Sequence, residues 1–171
     1  MAESGSTRNP GADRLSISSS LPDEPVPGKP RHILIAEDSK SDVFLIREAL
    51  RKSGIDAQIH VVDDGEKTIL FFAQADADPA APCPDLILLD INMPRYKGGD
   101  ILRRLRASFR CSGALVLIVT SSDSPRDREE MNALGANAYF RKPSEFSEFM
   151  KLGPVVGELL ARSQNPREPE A

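Results

Sequence analysis

The chain has 171 residues, of which 40% are hydrophobic and 28% charged, and a formal net charge of -4. That length suits one domain with one core and leaves no room for a second sizeable one. The composition excludes a wholly disordered chain, and the acidic balance argues against a general nucleic-acid binder, which needs a clustered basic excess.

Residues 1–30 have no apolar periodicity and are dense in Ser, Gly and Pro, as in SISSSLPDEPVPGKP. Such a segment cannot bury enough surface to offset its ordering entropy, so a flexible tail is expected. The opening MAESGSTRNP lacks the basic-then-apolar order of a signal peptide, and no apolar run approaches the ~20 residues that cross a bilayer. A cytoplasmic protein without membrane association is the expectation.

Ile33 to Ala36 reads as the first strand, followed by a helix over SKSDVFLIREALRKSG. There Ser39 and Asp42 make a capping-box pair, and Val43, Ile46, Ala49 and Leu50 share one helical face before Gly54 stops it. QIHVVDD is the second strand and DGEKTILFFAQAD the second helix. A Pro- and Ala-rich connection leads into the third strand, Asp85 to Asp90. Gly98 and Gly99 precede a third helix with Ile101, Leu102 and Leu105 inward, and Ala114 to Val119 is the fourth strand. Ser124, Pro125 and Asp127 supply an N-cap, an N1 proline and an N3 acid for the fourth helix, which ends near Gly135. Ala138 to Phe140 is the fifth strand, and Ser144 opens a last helix that Gly153-Pro154 should kink or restart. The domain spans 31–161, with a loose tail over 162–171. Cys83 and Cys111 have neither CxxC spacing nor a nearby His pair, so two unpaired, reduced thiols are expected.

Short apolar strands alternating with amphipathic helices imply an α/β fold. The expected architecture is a doubly wound five-stranded parallel sheet of flavodoxin-like order 2-1-3-4-5, with helices on both faces. Ligands of such sheets bind beyond the carboxyl ends of the strands. The residues there are Glu37 and Asp38, Asp90, Thr120, and Lys142. Asp, Ser and Thr often cap the next helix, so any one position is ordinary; their joint occurrence with a lysine is not. Clustered carboxylates resist ionisation unless a cation shares the site, and magnesium takes oxygen ligands while keeping several waters. Asp38 and Asp90 would bind it directly, Glu37 through water, and Asn92 through its backbone carbonyl. Asp90 could then attack a phosphorus centre, with Lys142 supplying charge and Thr120 a hydroxyl.

Ile33 to Leu160, about three-quarters of the chain, resembles a receiver domain of two-component response regulators. The resemblance rests on Glu37-Asp38, on Asp90-x-Asn92-Met93-Pro94 with Gly98 eight residues after the aspartate, on Thr120-Ser121 and on Lys142-Pro143. It implies that a phosphohistidine on a sensor histidine kinase donates its phosphoryl group to Asp90, that Thr120 moves towards that group, and that Tyr139 rotates inward. The altered face would be the fourth helix, fifth strand and fifth helix, through which a homodimer could form. Few residues follow Leu160, so a DNA-binding domain is not expected and output would be by association or phosphorelay. The AYFRKP segment and the ending FxxFMKLGPVV are similar to stand-alone regulators that partner phytochrome-type histidine kinases. Lys97, where many relatives carry an acid, reads as part of a solvated loop or, with Arg95 and Arg103, as a basic docking surface.

The rival expectation is a metal-dependent phosphohydrolase with an aspartyl nucleophile. Such enzymes typically place a second aspartate two residues after the nucleophile, where this chain has Asn92. A nucleotide- or flavin-binding domain would need a Gly- or Ser/Thr-rich phosphate loop after the first strand, where AEDSKSD puts negative charge. Beyond catalysing its own phosphorylation and dephosphorylation, the chain is not expected to be an enzyme.

Overall fold

The structure is a computed structural model, and it describes residues 30–164. In chain order the elements are β1 (His32–Ala36), α1 (Lys40–Lys52), β2 (Gln58–Val62), α2 (Gly65–Ala77), β3 (Leu86–Leu89), α3 (Gly98–Arg106), β4 (Leu115–Thr120), α4 (Pro125–Ala133), β5 (Ala138–Arg141), α5 (Phe146–Phe149) and α6 (Leu152–Gln164). The tails expected at 1–30 and 162–171 lie largely outside the described residues; the last helix itself runs to Gln164.

All strand pairs are parallel, in the order β2-β1-β3-β4-β5, which is the order expected from the sequence. Side chains of a strand alternate between faces, so a central strand covered on both sides must be apolar throughout. β3 shows this: Ile87 and Leu89 join Leu34, Val116 and Ile118 under α2, α3 and α4, where Phe72, Ile101, Leu105 and Met131 fill the layer. Leu86 and Leu88 join Ile33, Ile35, Leu117 and Val119 on the other face, against Ile46 and Leu50 of α1 and Leu152, Val156 and Leu159 of α6. Each such side chain contributes roughly 1.5–3 kcal/mol by leaving water.

Several local readings change. Ser39 accepts the Asp42 amide at 3.3 Å, but Asp42 does not return the bond to close a capping box. The Ser39 amide donates to Glu37 Oε2 at 3.1 Å instead, which frees the Asp42 carboxylate. α3 begins at Gly98 rather than after Gly99. A Cβ on Gly98 would lie 2.9 Å from Ile91 Cα, so the tight return of the chain behind β3 requires glycine there. The last helix does restart, with a short α5 and then α6, whose first turn holds Gly153 and Pro154. Pro154 is tolerated because first-turn amides have no intrahelical acceptor to lose.

Gly153 lets α6 dock onto the end of α1. An added Cβ would meet the Ala49 carbonyl oxygen at 2.5 Å and overlap the Ser53 hydroxyl. Gly153→Ala should therefore lower stability by roughly 1–3 kcal/mol, read as a lower urea midpoint at unchanged slope.

The expectation of two unpaired thiols is overturned. Cys83 and Cys111 form a disulfide, with Cα atoms 5.4 Å apart. A separation of 28 residues concealed their proximity: both precede neighbouring parallel strands, β3 and β4, at the amino edge of the sheet. The Leu115 amide donates to the Asp85 carbonyl at 3.1 Å beside them, continuing that strand pair towards the cysteines.

Candidate functional site

The carboxyl edge of the sheet is held by ladder bonds that run one residue past the strands. The Glu37 amide donates to the Val62 carbonyl at 3.0 Å, Asp90 to Ala36 at 3.0 Å, and Lys142 to Thr120 at 2.7 Å. The sheet thus fixes the backbones of three of the residues singled out in the sequence.

Their side chains converge. Lys142 Nζ lies 3.0 Å from Asp90 Oδ2, 2.7 Å from Glu37 Oε1 and 2.7 Å from Asp42 Oδ2. Carboxylate oxygens of Glu37, Asp38 and Asp90 lie within 4.8 Å of one another, with Asp38 exposed to solvent and the other two buried. Asp90 Oδ1 accepts the Asn92 amide at 3.0 Å. The Asn92 side-chain amide donates to the Thr120 hydroxyl at 3.3 Å, which also accepts the Ser122 amide. Tyr139 is half-buried, donates its hydroxyl to the Ser122 carbonyl at 3.0 Å and carries the Arg128 guanidinium over its ring. Thr120 and Tyr139 therefore hold the same β4–α4 loop from two sides.

Asp42 is the participant that the sequence reading missed. Capping accounted for it locally, yet it stands in the first turn of α1, just past the end of β1, and its Oδ2 lies 2.7 Å from Lys142 Nζ. Of the basic residues singled out near this edge, Arg95 pairs with Glu66 at 3.5 Å, and Arg103 with Asp100 at 3.0 Å and Glu130 at 4.0 Å, while Lys97 is exposed at the start of α3.

Burial disfavours the Lys142 charge, but Asp42, Glu37 and Asp90 outweigh it and hold its pKa above the usual lysine value. For Glu37, burial together with the Asp90 charge pushes the carboxyl up to about 7, against the pull of Lys142 and the Ser39 amide. Glu37 is only 2% exposed, and among the described residues its Oε1 is the buried side-chain oxygen without a hydrogen-bond donor. The nearby ammonium makes an ion pair with it but no well-directed hydrogen bond.

Because the folded pKa of Glu37 lies above the 4.5 of a free glutamate, its contribution to stability is fully present below that pH and lost as pH rises through about 7. Glu37→Gln removes this dependence. In chelator, the stability of the wild type relative to Glu37→Gln should fall from about pH 4.5 to about pH 7, as measured by urea unfolding.

Residues 33–152 match the Response regulator receiver domain family. The chain belongs to that family. Among curated relatives of this receiver is response regulator Rcp1 of Synechocystis, 31% identical over 123 residues covering 72% of this chain and 84% of that protein. Among solved structures, the phosphorylated cyanobacterial phytochrome response regulator RcpA superposes with a TM-score of 0.70 at 27% identity, covering 78% of this receiver and 96% of that chain. The Mn2+-bound form of Rcp1 superposes with a TM-score of 0.67 at 29% identity, covering 75% and 93%. The acidic cluster of this receiver is compatible with a divalent cation on its own chemistry, since the carboxylates of Glu37, Asp38 and Asp90 crowd within 4.8 Å of one another with Lys142 as the ammonium paired to two of them.

Proposed function

We propose that this receiver accepts a phosphoryl group on Asp90 from the phosphohistidine of a sensor histidine kinase, and signals through a changed protein-interaction surface or passes the group onward in a relay. One observation carries the reading: a buried lysine bound at once to Asp90 and Glu37, beside an oxygen-rich cluster that also holds Asp38. Glu37, Asp38, Asp90 and the Asn92 backbone carbonyl would hold Mg2+. When bound, that ion supplies positive charge to the oxygens of the transferring group.

Asp90 attacks phosphorus through a carboxylate oxygen, the phosphorus–nitrogen bond breaks, and the imidazole leaves with its electron pair. Lys142, already 3.0 Å from Asp90, stays charged throughout and pairs with the new phosphoryl oxygens. The Thr120 hydroxyl, which now accepts from Asn92, turns to donate to the same group. That movement withdraws an acceptor from the Ser122 amide, so the loop shared with Tyr139 rearranges. The surface of α4, β5 and the last helix, here split into α5 and α6, is the face that changes, and a homodimer through it is one output.

The kinase partner is proposed to be phytochrome-type, as the description of RcpA as a phytochrome response regulator suggests, and the compartment cytoplasmic. Among the described residues no helix is long and apolar enough to cross a membrane. The hydrolase alternative lacks support at Asn92, whose amides are committed to Asp90 and Thr120 and which has no carboxyl to shuttle protons.

The test is incubation with an acyl phosphate and Mg2+, followed by intact mass measurement. A single covalent phosphoryl group, lost on removing Mg2+ beforehand, is expected. Many turnovers of phosphate released from a simple ester would favour the hydrolase.

A further inference from the structure

We propose that Cys83 and Cys111 form a reversible dithiol–disulfide site, with Cys83 the thiol that exchanges with outside disulfides and Cys111 the one that resolves the mixed disulfide. The pair lies at the amino edge of the sheet, opposite Asp90, and takes no part in phosphoryl transfer. The inference rests on the cytoplasmic reading above for its use in the cell: there a permanent disulfide does not persist, and those that form are transient or sensing.

Reversibility follows from contacts that hold the two segments together without the sulfur–sulfur bond. The Asp76 carboxylate accepts the Ser108 hydroxyl at 2.8 Å, the Phe109 amide at 3.2 Å and the Arg110 amide at 2.8 Å. In return the Arg110 guanidinium donates to the Ala75, Asp78 and Ala81 carbonyls, two of them at 2.9 and 3.0 Å. Cys111 is fixed further by its amide, which donates to Ser108 Oγ at 3.0 Å. Reduction therefore leaves the two thiols facing each other, and the disulfide can close again without refolding.

The order of attack follows from access. Cys111 is 2% exposed and packed in the core, whereas Cys83 is half-buried at the end of the α2–β3 connection. The Cys83 thiolate attacks a small disulfide of the glutathione class, forming a mixed disulfide and expelling one glutathione thiolate. The Cys111 thiolate then attacks Cys83 Sγ and expels the second. Two protein thiols are oxidised, one glutathione disulfide is reduced to two thiols, and the two protons lost by the cysteines pass to the two expelled glutathione thiolates. The covalent loop so closed runs from Cys83 to Cys111 and contains β3, Asp90 and α3.

The full chain would be reduced with a dithiol, equilibrated with oxidised glutathione, and followed by alkylation, intact mass and circular dichroism. Wild type should form the internal disulfide and retain no glutathione, and its reduced form should stay folded with a melting temperature about 10 °C lower. Cys111→Ser should retain one glutathione on Cys83, and Cys111→Ala is the second variant should the buried hydroxyl disturb folding. Cys83→Ser should retain none. Equal glutathionylation of Cys83→Ser and Cys111→Ser, loss of the fold on reduction, or a disulfide that resists the dithiol until denaturant is added would each overturn the proposal. Acyl phosphate labelling of the same oxidised and reduced samples separates the two readings. Absence of label in both removes the receiver activity and leaves the thiol result standing.

Discussion

Asp90→Asn should reduce covalent phosphoryl incorporation from an acyl phosphate to the background of the chain without donor. The substitution keeps the size of the side chain and its acceptor for the Asn92 amide, so the loop behind β3 should retain its form. What is lost is the anionic oxygen that attacks phosphorus and the charge that anchors Lys142 at 3.0 Å. Asp90 is buried and continues the β3 ladder, so no other carboxylate can take its place on the same backbone. Labelling of Asp90→Asn at the wild-type level would put the phosphoacceptor elsewhere and remove the central claim.

Lys142→Ala should destabilise the metal-free protein by about 3 kcal/mol or more at neutral pH, because removing one member of a buried ion cluster leaves its partners uncompensated. Glu37 and Asp90 are both buried, and Asp42 is the third carboxylate left facing them. Millimolar Mg2+ should restore part of the loss, since a divalent cation can neutralise the same oxygens. Urea unfolding with chelator and with Mg2+ provides the measurement. A variant as stable as wild type in chelator, or one indifferent to Mg2+, would mean that the carboxylates do not depend on a shared cation. The same variant should also accept phosphoryl groups slowly even when Mg2+ is present, because the ammonium is aimed at Asp90 before any donor arrives.

What the sequence made legible, and what it hid, divides by range. The apolar run Leu86 to Leu89 announced a strand covered on both faces, and alternation with helices fixed the edge at which to look for chemistry. Glu37, Asp90, Thr120 and Lys142 could be read because each immediately follows or ends a strand, so topology alone gathers them. Asp42 could not, because it lies on a helix and its local role as a capping partner was sufficient explanation. Only the reach of Lys142 across 100 residues shows its second use. The cysteines failed for the same reason: no local pattern links Cys83 to Cys111, and their meeting depends on β3 and β4 being neighbours. Glycine told more than its spacing suggested, since Gly98 and Gly153 each mark a place where two segments approach too closely for a side chain.

The ladder bonds that run past the strand ends have a consequence for timing. Amides bonded within a covered sheet open only with large portions of the fold, whereas loop amides open locally and often. The amides of Glu37, Asp90 and Lys142 belong to the first class, while the Ser122 amide hangs on a single hydroxyl acceptor. Hydrogen exchange would therefore find the chemical centre among the slowest parts of the molecule and the neighbouring loop among the fastest. A phosphoryl signal placed on such a centre would change little where it is written, and the response would fall on the β4–α4 loop and the face beyond it.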